Sequence, residues 1–99
     1  MKIYISGPIT GTNDHEERFE RAEKALKKEG HIVINPEKIL RGMPDETKHK
    51  EYMKVALSLL DLCEGVYFLE GWQESQGCGI EFEYAYEHKM AIFFEGGRG

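Results

Sequence analysis

Short apolar runs alternate with longer amphipathic stretches along the whole chain. Lys2–Ser6 is a β-rich run holding Ile3, Tyr4 and Ile5, stopped by Gly7-Pro8, and a polar turn follows through Thr12. From about Asn13 to Glu29 the residues Phe19, Ala22, Ala25 and Leu26 recur at helical spacing with charges between them. Asn13 with Glu16 has the spacing of a capping box, and Gly30 is a natural stop. His31–Ile34 reads as a second strand closed by Asn35-Pro36, and Glu37–Thr47, which holds Gly42 and Pro44, reads as a loop. From about Lys48 to Cys63 a second helix sets Tyr52, Ala56, Leu59, Leu60 and Cys63 along one face. Gly65–Leu69 is a third strand, and its nearly continuous apolarity suits a sheet covered on both sides. A polar turn over Gly71–Gly77, a helix over Cys78–Lys89 and a strand over Met90–Phe94 complete the pattern.

The order β-α-β-α-β-α-β predicts an α/β fold, a three-layer α/β/α sandwich around a parallel sheet of four or five strands. Ligands of such sheets bind beyond the carboxyl ends of the strands, where the strand order reverses. Three connections therefore share one rim: Gly7–Thr12, Asn35–Thr47 and Glu70–Gly79.

With 99 residues there is room for one core, so residues 1–95 are expected to form a single domain and 96–99 a flexible tail. The 40% hydrophobic and 31% charged content excludes a disordered chain. Thirteen Lys and Arg against 18 Asp and Glu give a formal charge of −5, which argues against a nucleic-acid polymer as partner. No apolar run is long enough for a membrane span or a secretory signal, and with Cys63 and Cys78 expected as reduced thiols the location expected is cytoplasmic. His15, His31, His49 and His88 are scattered without metal-ligand spacing, so neither metal nor cofactor is expected.

Two rim segments carry candidate chemistry. In Ser6-Gly7-Pro8-Ile9-Thr10-Gly11-Thr12 two glycines allow close backbone approach ahead of a helix start that favours an anion. It is neither a P-loop nor Gly-x-Gly-x-x-Gly, and on spacing alone a tight turn with Thr12 or Asn13 as helix cap is the simpler explanation. In Trp72-Gln73-Glu74-Ser75-Gln76-Gly77-Cys78-Gly79-Ile80-Glu81 two glycines again expose amides at a helix start. Glu81 falls near the first turn, where the helix dipole favours the ionised carboxylate that attack on a sugar carbon requires. Here the plain alternative is Ser75 as cap and Glu81 as dipole complement. Trp72 either stacks on a nucleobase or covers the sheet end. Tyr84 and Tyr86 cannot share a helix face, so one of them is expected at the surface or an interface.

Together the segments Tyr4-Ile5-Ser6-Gly7-Pro8-Ile9-Thr10-Gly11, Gly30-His31-x-Val33-x-Asn35-Pro36, Tyr52-Met53 and Gly71-Trp72-x-x-Ser75-x-Gly77-x-x-x-Glu81-x-x-x-Ala85 resemble the nucleoside 2-deoxyribosyltransferase-like superfamily. The nearest likeness is to its small phage and bacterial branch, and Ser75-x-Gly77-x-Gly79-x-Glu81 is similar to the deoxynucleoside 5′-monophosphate N-glycosidases. The resemblance runs from Lys2 to Phe94 and implies a flavodoxin-like sheet, commonly paired as a homodimer. It implies that Glu81 is the nucleophile that attacks C1′ of a (deoxy)ribosyl group. Ser75 and Gly77 would hold the 5′-hydroxyl or 5′-phosphate, Gly7, Ile9 and Gly11 would surround base and sugar, and Tyr4 would line the pocket. Gly79 and Trp72 join the substrate-binding set. A nucleoside or nucleotide is then the small-molecule partner, with water or a second base releasing the sugar.

One position departs from the family. Relatives often carry Tyr-Met-x-x-Asp in the second helix, and here the matching residue is Ala56, while Glu64 stands for an aspartate toward that helix's end. Loss of one general acid–base group typically costs about 10²–10⁴-fold in rate. The expected function is therefore an N-glycosyl hydrolase or transferase working through glycosyl-Glu81, with a binding domain of weak or no turnover as the alternative. A receiver-type signalling domain shares the fold but needs clustered acids after the first strand, which are absent.

Overall fold

A computed structural model describes residues 1–97. Four strands, β1 (Lys2–Ser6), β2 (Ile32–Ile34), β3 (Gly65–Phe68) and β4 (Ala91–Phe94), form one sheet in the order β2-β1-β3-β4, and every pairing is parallel. The helices are α1 (His15–Lys28), the single-turn α2 (Pro36–Ile39), α3 (His49–Leu60) and α4 (Gln76–Glu87). Side chains alternate across β1 with period two. Ile3 and Ile5 pack with Leu69 against Phe19, Ala22 and Leu26 of α1, whereas Tyr4 packs with Val66 and Phe68 against Leu60 of α3 and Ala85 of α4. These are the three layers the pattern predicts, and no helix among the described residues is long and apolar enough to cross a membrane.

The differences from expectation lie at element ends. Asn35-Pro36 does not simply close β2: Asn35 accepts the Lys38 N–H at 3.2 Å as N-cap and Pro36 takes the first helical position. That pair is a start signal, because proline has no amide to leave unpaired there. The stretch expected as a loop thus opens with α2 and a 3₁₀ turn at Leu40–Gly42. Buried Glu37 of α2 meets His15 at 3.1 Å and Arg41 at 2.7 Å, which ties that segment to α1. At the start of α1 Asp14, not Asn13, is the cap residue and no side-chain cap bond forms; Glu16 faces Arg41 at 3.6 Å instead. Gly30, with φ +92, closes α1 as expected. Gly96 and Gly97 continue a 3₁₀ turn from Glu95, and Arg98 and Gly99 of the expected tail lie outside the described residues.

Candidate functional site

From β1 the chain crosses outward to β2 and then back past β1 to β3, so the strand order reverses between β1 and β3. Ser6, the last residue of β1, pairs with Phe68 of β3 at that point. Directly over it α4 sets Cys78, Glu81 and Ala85 toward the sheet, spaced three and four residues apart. Two of these fit a buried stripe and the third is a carboxylate.

Glu81 is only 6% exposed, yet both of its oxygens are held. The Ser6 hydroxyl donates to Oε1 at 2.6 Å, and the Tyr4 hydroxyl donates to Oε2 in a short bond. Tyr4 and Ser6 are themselves buried and, two residues apart on β1, necessarily project from the same face. Burial lifts the Glu81 carboxyl from its ordinary 4.5 to about 7, while the Ser6 and Tyr4 bonds pull it down. Burial, and then the neighbouring Glu81 charge, raise Tyr4 well above its usual range, so its phenol remains a donor. The carboxylate expected to be ionised by a helix dipole is therefore governed by desolvation. α4 begins at Gln76, two residues earlier than the sequence suggested, and Glu81 lies in its second turn, away from the amide-rich end.

The early start has a local cause. Ser75 is the N-cap of α4, and its Oγ accepts the Cys78 N–H at 3.3 Å. The capping role is thus real, but a hydroxyl that accepts one bond keeps its own proton free to donate. Gly77 faces α3: a Cβ there would stand 3.2 Å from Met53 Sδ, 3.7 Å from His49 Nε2 and 4.0 Å from Ser75 Oγ. At Gly79 a Cβ would meet nothing within 4 Å.

The first loop is arranged differently. A Cβ on Gly7 would sit 2.6 Å from Leu69 Cδ1, so its lack of a side chain serves packing between the β1 and β3 ends. Ile9 and Gly11 stand exposed in a turn closed on the Ile9 carbonyl, which accepts the Thr12 N–H at 3.1 Å and the Thr12 hydroxyl at 2.8 Å. Trp72 is half-buried, its ring stacked with Phe82 and with Phe94 at centroid distances of 4.9 and 5.7 Å and tilted against Phe68 at 4.9 Å. The indole packs with the protein's own rings, as a residue that covers the sheet end does. A hollow of about 360 Å³ beside it, lined by Glu70, Trp72, Glu95 and Gly96 among others, does not include Glu81. Glu95 there is tied to the Glu70 N–H at 2.8 Å and to Arg18 at 3.6 Å. The Tyr4 and Ser6 hydroxyl donors are aimed at the carboxylate and do not line that hollow.

The structure thus brings Tyr4 onto Glu81, and Ser75 and Gly77 to the same end of α4. Ser6 belongs with them, although the end of a β-rich run and a place in the first rim segment give it no site role by themselves. Its signal was parity, since Tyr4 and Ser6 must share a face. Burial pushes the Cys78 thiol up, which argues against a reactive thiolate at this helix start. Of the two tyrosines of α4, Tyr86 is exposed, and Tyr84 donates to Asp61.

The sequence profile of a family described as Domain of unknown function (DUF4406) matches residues 1–94. Among solved structures, a 2-deoxyribosyltransferase from the psychrotolerant bacterium Bacillus psychrosaccharolyticus superposes with a TM-score of 0.75. It covers 95% of this chain and 71% of its own, at 16% identity. The resemblance read from the sequence motifs is borne out in the fold. No curated protein matches the sequence.

Proposed function

The chain belongs to the DUF4406 family, whose description assigns no activity, and from its buried carboxylate we propose that it cleaves the base–sugar bond of a (deoxy)nucleoside or its 5′-monophosphate through a glycosyl-Glu81 intermediate. The observation that carries this reading is the pair of hydroxyl donors, Tyr4 and Ser6, fixed on the two oxygens of Glu81 at the β1–β3 reversal point. The fold shared with a 2-deoxyribosyltransferase supports the substrate class.

The ionised Glu81 oxygen forms a bond to C1′ while the C1′–N bond breaks and its electron pair leaves with the base. Water, or a second nucleobase, then takes C1′ from the ester and restores the carboxylate. Tyr4 and Ser6 hold the carboxylate in one orientation, which lowers the entropic part of the barrier. Because the carboxyl sits at about 7, turnover rises as pH climbs through that value and the ionised fraction grows. Ser75 and the amides beside Gly77 take the 5′ end of the sugar. A homodimer through α3 and α4 belongs to the same reading, since Tyr86 is 72% exposed with Met53, Leu57 and Phe82 only partly covered.

A second reading rests on one observation. Ala56 is buried on α3 where an acidic residue would serve the leaving base, which favours a domain that binds the same ligands and turns them over weakly or not at all. A panel of nucleosides and 5′-monophosphates, with free base read by chromatography, separates the two. Base release that disappears in Glu81→Gln, with a 2′-fluoro-2′-deoxy analogue trapped on Glu81, establishes the first. Full activity in Glu81→Gln ends it, and binding without release supports the second.

A further inference from the structure

On α3 the residues His49, Met53, Ala56 and Leu60 follow one another at intervals of four, three and four, so they share one face. Leu60 and Ala56 are buried at the sheet end of that face, and His49 is its first helical residue, out at the rim. The imidazole there is turned toward α4: its Nε2 stands 3.7 Å from where a Cβ on Gly77 would sit, with Ser75 Oγ at 4.0 Å and Met53 Sδ at 3.2 Å from the same point. Gly77 and Glu81 are four residues apart on α4, a little more than one turn and about 6 Å along the axis. His49 Nε2 and the Glu81 carboxylate therefore lie on the same face of α4, with the imidazole about one turn nearer the rim. Double displacement at a sugar carbon uses a nucleophile and a second group that gives and then takes a proton. Among the described residues no hydrogen bond engages the His49 ring, so its nitrogens are free for a ligand.

Resting on the proposed glycosyl transfer, we infer that His49 is the general acid for the departing base, doing from the rim end of α3 what a side chain at position 56 does not. As Glu81 bonds to C1′, the C1′–N electron pair goes to the base nitrogen system, and the His49 imidazolium passes its Nε2 proton to the base, which leaves neutral. In the second half the neutral imidazole takes a proton from the attacking water, the C1′–O bond to Glu81 breaks, and the imidazolium is restored. A histidine suits both halves because it can give and take a proton near neutral pH.

The test compares two leaving groups on one sugar: the best natural substrate from the panel, and its counterpart carrying 4-nitrophenolate, which departs without a proton. His49→Ala and His49→Gln should lower kcat on the natural substrate by about 10²–10⁴-fold and leave the nitrophenyl glycoside within about threefold of wild type. Added imidazole should partly restore His49→Ala on the natural substrate alone. Equal losses on both substrates, or no loss on either, overturn the role of His49 while the wild type's activity leaves the glycosyl-transfer reading standing. Wild type that cleaves neither substrate overturns both.

Discussion

Replacing Glu81 by glutamine tests the energetics of the site without any substrate. In the folded chain the carboxyl titrates at about 7, against 4.5 for an ordinary glutamate, because burial penalises the ion more than the Ser6 and Tyr4 bonds reward it. Between those two values the folded state holds a proton that the unfolded chain has released, so stability falls as pH rises through this window and levels off above it. The gap corresponds to about 3 kcal/mol by the alkaline side. Glutamine keeps the shape and cannot ionise. Near pH 4.5 the variant should differ from wild type only by a small constant from altered hydrogen bonding, and above about pH 8 it should be more stable by about 3 kcal/mol beyond that constant. Urea unfolding of both proteins at the two pH values, followed by circular dichroism, reads the difference, and every other titrating group cancels in the comparison. A difference that does not change with pH refutes the claim that desolvation governs Glu81.

Ser6→Ala removes a donor that favours the ionised carboxylate, so Glu81 should titrate higher still and the acid limb of any base-release activity should move to higher pH; an unmoved limb counts against the bond. Gly7→Ala drives a Cβ to 2.6 Å from Leu69 Cδ1, and thermal unfolding should show a loss of about 1–3 kcal/mol, with no loss if the loop simply slides away. Ala56→Asp should raise the rate on the best natural substrate if the missing acid limits turnover, and a folded variant with no gain favours the binding reading; melting must be followed alongside, since a buried unpaired carboxylate is costly. Light scattering at micromolar concentration should give twice the chain mass of 11.4 kDa, and Tyr86→Glu should halve it; a monomer with full ligand binding removes the dimer from the argument.

The sheet was legible because its strands are short apolar runs with clear stops, and every strand and major helix falls within a few residues of its expected place. What periodicity alone could not give was the direction of a punctuation mark. Asn35-Pro36 ends a strand and begins a helix at once, and Ser75 starts α4 although two glycines follow it. In the site, the motif singled out Glu81, but its burial depends on two tertiary facts absent from the local sequence: that β1 runs beneath α4, and that the even positions of β1 face it. His49 was hidden for the same reason. It lies 32 residues from Glu81 in sequence and comes to the rim only because α3 and α4 pack side by side on one face of the sheet.

The position of Glu81 also bears on why the residue is there. Cys78 and Ala85, its neighbours on the stripe, are small and buried, and an apolar side chain between them would remove a desolvation penalty. A buried carboxylate with two hydroxyl partners is weak evidence for stability, since apolar replacement of such groups is commonly neutral or favourable. Elsewhere the chain buries carboxylates in a different manner: Glu37 has Arg41 at 2.7 Å and Glu23 has Lys27 at 2.7 Å, each beside a cation. Glu81 has no cation within ion-pairing distance among the described residues, and its two partners are neutral donors. Burial raises Glu23 too, but its Lys27 and Asn35 partners together outweigh it and the net shift is downward, whereas burial wins at Glu81 and raises it. A paired carboxylate is locked in its charged form, but one poised near neutrality by burial can change state as a reacting carbon approaches. On the proposed reading, that contrast separates the carboxylate that reacts from those that hold the fold.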